Sequence, residues 1–413
     1  MNMLPVRRND GEITMSDFIQ LHMLVSYPPS NLNRDDLGRP KTAVMGGTQR
    51  LRISSQSLKR AWRTSDIFAQ GLEGHIGIRT KEMGSKVKEA LMSGLPLTQL
   101  LEGKNPDLKS ATIIPEKDAK SWALQIASVF VDKPPKSESK KTEDSSTDDT
   151  EGKKKGTKKE DTKSNINKDT LKGEQLVFYS NNEISAIQSL ITTLSKEKRE
   201  PKSQELSSLL KEDLSSVDVA MFGRMLANAT KYNVEASVQV AHAVTVHEVA
   251  VEDDYFTAVD DLNKGDDDAG AAHLGETEFA SGLFYTYVCI DKTLLQKNLG
   301  GDAVLAKTAI KALVEAATKV APTGKQNSFA SRAYASYLLV EKGSQQPRSL
   351  SVAYLGAVRD SKDLLGAAIA SLNDTRKKMD SVYGKCCEEQ EVMDAHAGAG
   401  SLNKILEFCC RSP

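Results

Sequence analysis

Phe279–Ile290 (FASGLFYTYVCI) is the stretch that most constrains how this chain can fold. Its apolar residues do not alternate with polar ones, so both faces must be covered. A strand of that kind lies inside a sheet with packing layers on either side. A chain of 413 residues can supply those layers and more than one compact unit.

The partners are read from hydrophobic period. Phe18–Val25 reads as a buried strand, broken by Tyr27-Pro28-Pro29-Ser30. Asn31–Gly47 reads as a loop in which Gly46-Gly47 would let the backbone approach a ligand. Arg50–Ile53 alternates charged and apolar residues, as a short half-buried strand does. Helical patterns cover Asp66–Leu101, Ala119–Val131, Glu183–Lys196 and Ser203–Leu214. Val217–Met225 reads as a short strand, and Ser237–Val251 alternates in places. Asp253–Gly275 is acidic and turn-rich, with Tyr255 and Phe256 at its start. A helix is expected at Asp302–Val320, with Leu305, Ile310, Leu313, Val314 and Ala317 on its buried side. A strand around Tyr334–Val340 and helices at Ser351–Met379 and Leu402–Cys409 complete the chain. Omitting 66–214 and 237–280 leaves strand, strand-helix, strand, long strand, helix, strand, helix. That order fits an α+β sheet of the ferredoxin-like (RRM-like) kind, interrupted by two excursions.

Composition narrows the class. Lys133–Thr170 holds Ile166 as its one large apolar residue and cannot bury enough surface to offset its ordering entropy, so it is expected to be a disordered insertion. Residues 1–14 are expected to be a loose leader. No apolar run of 18 residues and no signal-type apolar segment occurs, which points to a soluble cytoplasmic protein without membrane contact. Cys289 and the adjacent pairs Cys386-Cys387 and Cys409-Cys410 lack both disulfide-framework and CxxC spacing, and are expected to be reduced thiols. His242 and His247 lie five apart and no Cys or His neighbours His273, so no metal site is expected. His22, within a strand, reads as a satisfied core residue.

Net charge is −1, so any nucleic-acid binding must rest on a local patch. One exists. Leu37–Ser65 contains Arg39, Lys41, Arg50, Arg52, Lys59, Arg60 and Arg63 and no acid, in a chain of 55 basic and 56 acidic residues. Ser54 and Ser55 are N-cap residues, and a helix-compatible run follows. Leu58 and Trp62 can pack inward, while Gln56, Lys59, Arg60 and Arg63 fall on another face. A strand then feeds a helix whose first turn offers backbone N–H groups, two hydroxyls, an amide and cations. That combination suits a phosphate backbone, whereas a merely solvated helix usually mixes charge signs.

These residues carry a resemblance. NLNRDDLGRPKTAVMGGTQRLRISSQSLKRAWR resembles the N-terminal signature of the Cas-seven (CasC-type) backbone subunits of type I-E CRISPR Cascade complexes. VDVAMFGRM, VQVAHAVTVHEV, DDYFTAVDDL, AHLGETEFASGLFYTY and APTGKQNSFA are similar to that family's blocks, in the same order. The resemblance covers roughly 16–63 and 218–358.

The resemblance implies an RRM-like palm (15–63, 215–236 and 281–413), a helical fingers domain (64–214) carrying the insertion 133–170, and a thumb (237–280) formed by an extended loop or hairpin. It implies several copies polymerised along a CRISPR RNA (crRNA), kinking it periodically and presenting it for pairing with target DNA in antiviral defence. The implied partners are the crRNA, target DNA through the crRNA, other copies of the chain, and the other Cascade subunits: the large subunit, the small subunit, the subunit that binds the crRNA 5′ handle, and the crRNA-processing endonuclease. The implied RNA-binding residues are Arg34 and Lys41 in the first loop, then Ser54, Gln56, Ser57, Lys59, Arg60 and Arg63. Gly223, Arg224 and Met225 would pack near the kink. Tyr255 and Phe256 would wedge against bases, with His273 and Thr277 on the returning thumb arm. The leader and insertion depart from the family pattern.

Some residues keep two readings. Tyr255-Phe256 fits ordinary core as well as a base-stacking wedge. Lys325 and Gln326 fit a second backbone contact or a helix C-terminal cap with a dipole-pairing lysine. Asp35 or Asp36 could serve RNA cleavage, as in related type III backbone subunits, or form an Asx-type turn or a salt bridge with Arg34 or Arg39. A non-enzymatic subunit with no catalytic residue and no cofactor is the expectation. The alternatives are an RNA-cleaving backbone subunit and an RNA-binding scaffold outside CRISPR immunity.

Overall fold

A computed structural model describes residues 17–103, 113–130, 171–172, 176–211, 216–226, 229–258, 273–359 and 362–411; the side chains of Ala258, His273 and Leu274 are outside the description. The expected leader and the expected insertion 133–170 lie outside the described residues. The strands are β1 (Phe18–Ser30), β2 (Thr42–Met45), β3 (Thr48–Ile53), β4 (Ile78–Thr80), β5 (Val177–Tyr179), β6 (Val238–Val240), β7 (Ala243–Thr245), β8 (Glu252–Ala258), β9 (His273–Asp291), β10 (Ala335–Gly343) and β11 (Glu389–Asp394). The helices are α1 (Ser55–Arg63), α2 (Asp66–Gly71), α3 (Met83–Ser93), α4 (Leu97–Leu101), α5 (Glu116–Ser128), α6 (Asn181–Glu197), α7 (Ser203–Ser207), α8 (Val217–Phe222), α9 (Lys292–Asn298), α10 (Ala303–Lys319), α11 (Gln326–Phe329), α12 (Leu364–Tyr383) and α13 (Leu402–Cys410). They form two compact units.

The first unit comprises Met1–Gly77, Asp213–Arg224 and Val234–Pro413. Its sheet runs β11-β10-β1-β9-β7-β3-β2, all antiparallel, with β6 also paired to β9. The mixed α+β class and the central place of β9 agree with expectation. Ala280, Phe284, Val288 and Ile290 face a core shared with Leu58 and Trp62 of α1, Ile310 and Leu313 of α10, and Ile405 and Phe408 of α13. Leu283 and Tyr285 face a second cluster with Leu350, Tyr354 and Ala368 and Leu372 of α12. Burial on both sides is why the run shows no alternation.

The N-terminal half of β9 leaves the sheet. Its last pair with β1 is Ser30↔Ala280. From Phe279 back to His273 it pairs with β8, from Glu252↔Phe279 to Ala258↔His273, as a two-stranded ribbon.

The second unit, Ile78–Glu212 with Met225–Asn233, has its own core. Val87 and Leu91 of α3, Trp122 and Ile126 of α5, and Ile187 and Ile191 of α6 fill it. A reciprocal cap, Ser180 Oγ to the Glu183 N–H and Glu183 to the Ser180 N–H, starts α6.

Several expectations need correction. Asn31–Gly47 is not all loop: Thr42–Met45 is a strand paired with β3, and Gly46 (φ 60°) with Gly47 (φ 80°) forms its hairpin turn. The glycines serve the turn, and a Cβ on Gly46 would fall 1.6 Å from the Leu355 carbonyl oxygen. Pro28-Pro29 does not end β1; the pairing with β9 slips between Tyr27 and Ser30 instead. Val217–Phe222 is a helix closed by Gly223, not a strand; Val217, Asp218, Val219, Ala220 and Met221 are all buried, which erases the period that separates helix from strand. Residues 351–354 form a 3-10 turn, and α12 starts at Leu364 behind an Asp363 cap. Ser203–Leu214 holds only the short α7 among its described residues. Residues 64–77 group with the first unit, because Phe68 and Leu72 are buried in its core.

Candidate nucleic-acid interface

The basic run converges on the junction of β3 and α1. Ser54, extended at φ −67° and ψ 144°, caps α1 by accepting the Ser57 N–H on its side chain. Leu58, Ala61 and Trp62 anchor the helix in the core. Gln56 and Arg60 are exposed, and Lys59 is half-buried. The first loop is stitched to this junction. Asn33 Oδ1 accepts the Ser54 N–H at 2.8 Å, and Lys41 N–H donates to the Asn33 carbonyl at 2.8 Å. Arg52 N–H donates to the Lys41 carbonyl at 2.8 Å. Arg34, Lys41 and Arg52 are thus held beside the mouth of α1 by backbone geometry.

The helix mouth is less open than the sequence implies. Ser57 N–H is taken by Ser54, and Ser55 N–H donates to His242 Nδ1 at 3.0 Å. His242 is a member that sequence reasoning missed, having been weighed only as a metal ligand. Partial burial, and then the charges of Arg52 and Lys41, hold its pKa below the usual histidine value. The ring is therefore neutral at pH 7, with Nδ1 accepting the Ser55 N–H. The signal for it was its place between the short strands β6 and β7, which no local period reveals.

Not every cation of the run faces outward. Arg50 is fully buried and donates to Thr48 Oγ1, the Thr245 carbonyl and the Tyr354 carbonyl at 2.8, 2.8 and 3.2 Å. Arg63 reaches Asp218 at 3.2 Å; that carboxylate is buried and also accepts Gly77 N–H at 2.8 Å. Burial raises the Asp218 pKa against the pull of these donors. Lys59 lies 5.6 Å from the centre of the Phe222 ring, and desolvation there lowers its pKa. Arg63 and Lys59 therefore also tie α1 to α8.

The remaining predicted residues fall elsewhere. Gly223, at φ 81°, closes α8 where a Cβ would crowd Val234 and Ala236. Arg224 is buried and bridges to Val234 through its backbone. Met225 is 85% exposed. Tyr255 and Phe256, 66% and 45% exposed, sit on the β8–β9 ribbon and not in a core. They point to opposite faces of the ribbon, and the Phe256 ring covers Gly275, its cross-strand partner. The His273 backbone pairs in the ribbon, and its side chain lies outside the description. Thr277 and Lys325, separate in the sequence, meet at 2.7 Å. Gln326 turns into its own loop, donating to the Pro322 and Ser331 carbonyls.

Asp35 is a turn residue: its Oδ1 accepts the N–H groups of Leu37 and Arg39 at 3.0 and 2.9 Å. Among the described residues no group of three His, Cys, Asp or Glu could hold a metal ion. His247 accepts Leu283 N–H on Nε2 and donates Nδ1–H to the Glu248 carbonyl.

The family model described as CT1975-like protein matches residues 19–406. The chain belongs to that family. The kinship with Cas-seven-type CRISPR proteins read from the sequence is thereby borne out. No curated protein matches the chain. Among solved structures, a chain of a "CRISPR RNA-guided surveillance complex, pre-nicking" is similar at 26% identity and TM-score 0.71, covering 95% of this chain and 100% of that one. A chain of a "CRISPR RNA-guided surveillance complex" shares the fold at 22% identity and TM-score 0.52, over 95% and 99%. Among the described residues no helix is long and apolar enough to cross a membrane.

Proposed function

We propose that this CT1975-like protein is a backbone subunit of a CRISPR RNA-guided surveillance complex and that it binds the guide by its phosphates. The observation that carries the reading is the β3–α1 mouth, where Arg34, Lys41, Arg52, His242 and Gln56 stand at a capped helix start, with Arg60 exposed further along α1, in a chain of balanced charge. The likeness to a surveillance-complex chain over its whole length supports it. In this reading the sheet β10-β1-β9-β7, with α1 and α10 on one face, is an RRM-like palm. The second unit forms the fingers, and the β8–β9 ribbon forms the thumb. Copies of the chain line up along the guide, and exposed Tyr255 stacks on a base. Phosphate contacts position the RNA, and base pairing supplies sequence specificity. The subunit is non-catalytic. Use of Asp35 in closing its own loop supports that part of the reading.

The test is co-expression with and without a crRNA and its processing enzyme, followed by particle mass and the ratio of absorbance at 260 and 280 nm. A large RNA-rich particle that forms only with the guide is expected. A nucleic-acid-free chain even with every other subunit present would overturn the reading. Regularly spaced cuts in complementary RNA with Mg²⁺ would overturn its non-catalytic part.

A further inference from the structure

Two cations beside the proposed RNA surface are already occupied by the root of the ribbon. Arg39 Nε lies 3.0 Å from Glu278 Oε1, with the side chains 61% and 19% exposed. Lys325 Nζ donates to Thr277 Oγ1 at 2.7 Å. Beneath them the fully buried Asn31 divides its amide between the Gly38 and Glu278 carbonyls, each at 2.9 Å. Gly324 is seated against the end of β1: a Cβ there would fall 2.2 Å from the Leu32 carbonyl oxygen. That seat and the left-handed backbone of Lys325 (φ 45°) direct its ammonium to Thr277. The first loop, the ribbon root and the Gly324-Lys325 turn therefore meet at one point.

We propose that Glu278 and Thr277 form a counter-ion latch that holds Arg39 and Lys325 until RNA phosphates displace them, coupling guide loading to release of the ribbon root. The proposal rests on the RNA-binding reading above and extends it to two cations and a carboxylate that it did not use. Glu278 takes the place a phosphate would take, and among the described residues it is the only carboxylate within ion-pair distance of Arg39. An exposed pair is weak, while a phosphate offers arginine a bidentate, charge-assisted partner, so exchange is favourable when RNA is present. By linkage, whatever the latch subtracts from RNA affinity, RNA subtracts from the hold on the ribbon root.

The test uses the full chain, a fluorescein-labelled oligouridylate and anisotropy titrations over a salt series. Glu278→Gln is expected to bind about two- to fivefold tighter than the wild type, the range for an exposed ion pair. Its affinity should also fall more steeply with salt, because no internal partner replaces the displaced counterions. Arg39→Gln should weaken binding, and the double variant should match Arg39→Gln alone. Thr277→Val is the second variant, neutral in charge: it should show a smaller gain that Lys325→Gln abolishes. Equal or weaker binding by both Glu278→Gln and Thr277→Val overturns the latch. So does a double variant as tight as Glu278→Gln, which would make the effect one of net charge. Absence of RNA binding by the wild type and all variants at low salt overturns the RNA-binding reading itself and the latch with it.

Discussion

At the scale of single residues, the basic run divides into cations that build the site and cations that face it. Arg50 belongs to the first kind. The alternation of Arg50 and Arg52 about Leu51 and Ile53 is legible, but the cover over Arg50 comes from Thr245 and Tyr354, about 200 and 300 positions away. No local pattern could reveal it. Arg50→Met would leave two buried carbonyls without donors, at a cost of about 3 kcal/mol. It should lower the denaturation midpoint, while any folded fraction keeps the wild-type salt dependence of RNA binding. Lys59→Ala with Arg60→Ala should do the reverse. Arg60 is exposed and Lys59 gives up only its contact with the Phe222 ring, so stability should fall by no more than about 1 kcal/mol. RNA affinity should fall, and the slope of log affinity against log salt should shrink by up to about 1.4, two single-strand contacts at about 0.7 each. Anisotropy titrations at several salt concentrations measure both variants, and an unchanged slope for the Lys59/Arg60 pair would place the phosphate surface elsewhere.

At the scale of elements, what the sequence disclosed depended on how completely an element is covered. β9, α10 and α13 were legible because each is long enough for its burial pattern to show. α8 was misread because it is six residues long and buried nearly all round, so its side chains carry no period. β2 was missed because its residues are half-buried or exposed and only its pairing to β3 defines it. The hairpin they form positions Arg50 and Arg52, and its turn is a sharp test. Both glycines have positive φ, which costs an L-residue about 1–2 kcal/mol. Gly47 faces open space, whereas a Cβ on Gly46 would overlap the Leu355 carbonyl. Gly47→Ala should therefore cost about that strain alone, and Gly46→Ala distinctly more, since the turn over residues 351–355 must shift with it. Thermal melts of the two variants order them. Equal losses would mean that the strain alone matters and that Leu355 yields freely.

At the scale of the whole molecule, the first unit is held across its length by one buried polar network that only the assembled sheet creates. His22 on β1 meets Tyr285 of β9 at 2.9 Å and Glu341 of β10 at 3.2 Å. Arg348 clasps Glu341 with both guanidinium nitrogens and reaches Asp380 of α12, and Arg376 stands 4.0 Å from Glu341. The expectation that His22 is a satisfied core residue is met, but its partners, over 250 positions away, were beyond reach of sequence pattern. Burial lowers the His22 pKa, outweighing the pull of Glu341, with Arg348 and Arg376 adding to the depression. The ring is thus neutral, with Nε2–H donating to Glu341 and Nδ1 accepting from Tyr285. Burial alone would raise the Glu341 pKa; donors from His22 and Arg348 overcome this and hold it at about 2. Both folded-state values lie below their unfolded ones, so both groups oppose proton uptake by the folded chain, and both weaken it as pH falls. His22 acts first, as the pH drops below about 6.5, at up to about 1.4 kcal/mol per pH unit; Glu341 follows below about 4.5. The melting temperature should therefore decline from pH 7.5 to 5.5. His22→Gln, which keeps a donor but cannot titrate, should start lower and decline less steeply, leaving the share of His242, whose pKa is also depressed. An equal decline in the variant would assign the pH dependence to other groups and leave this network a purely structural tie.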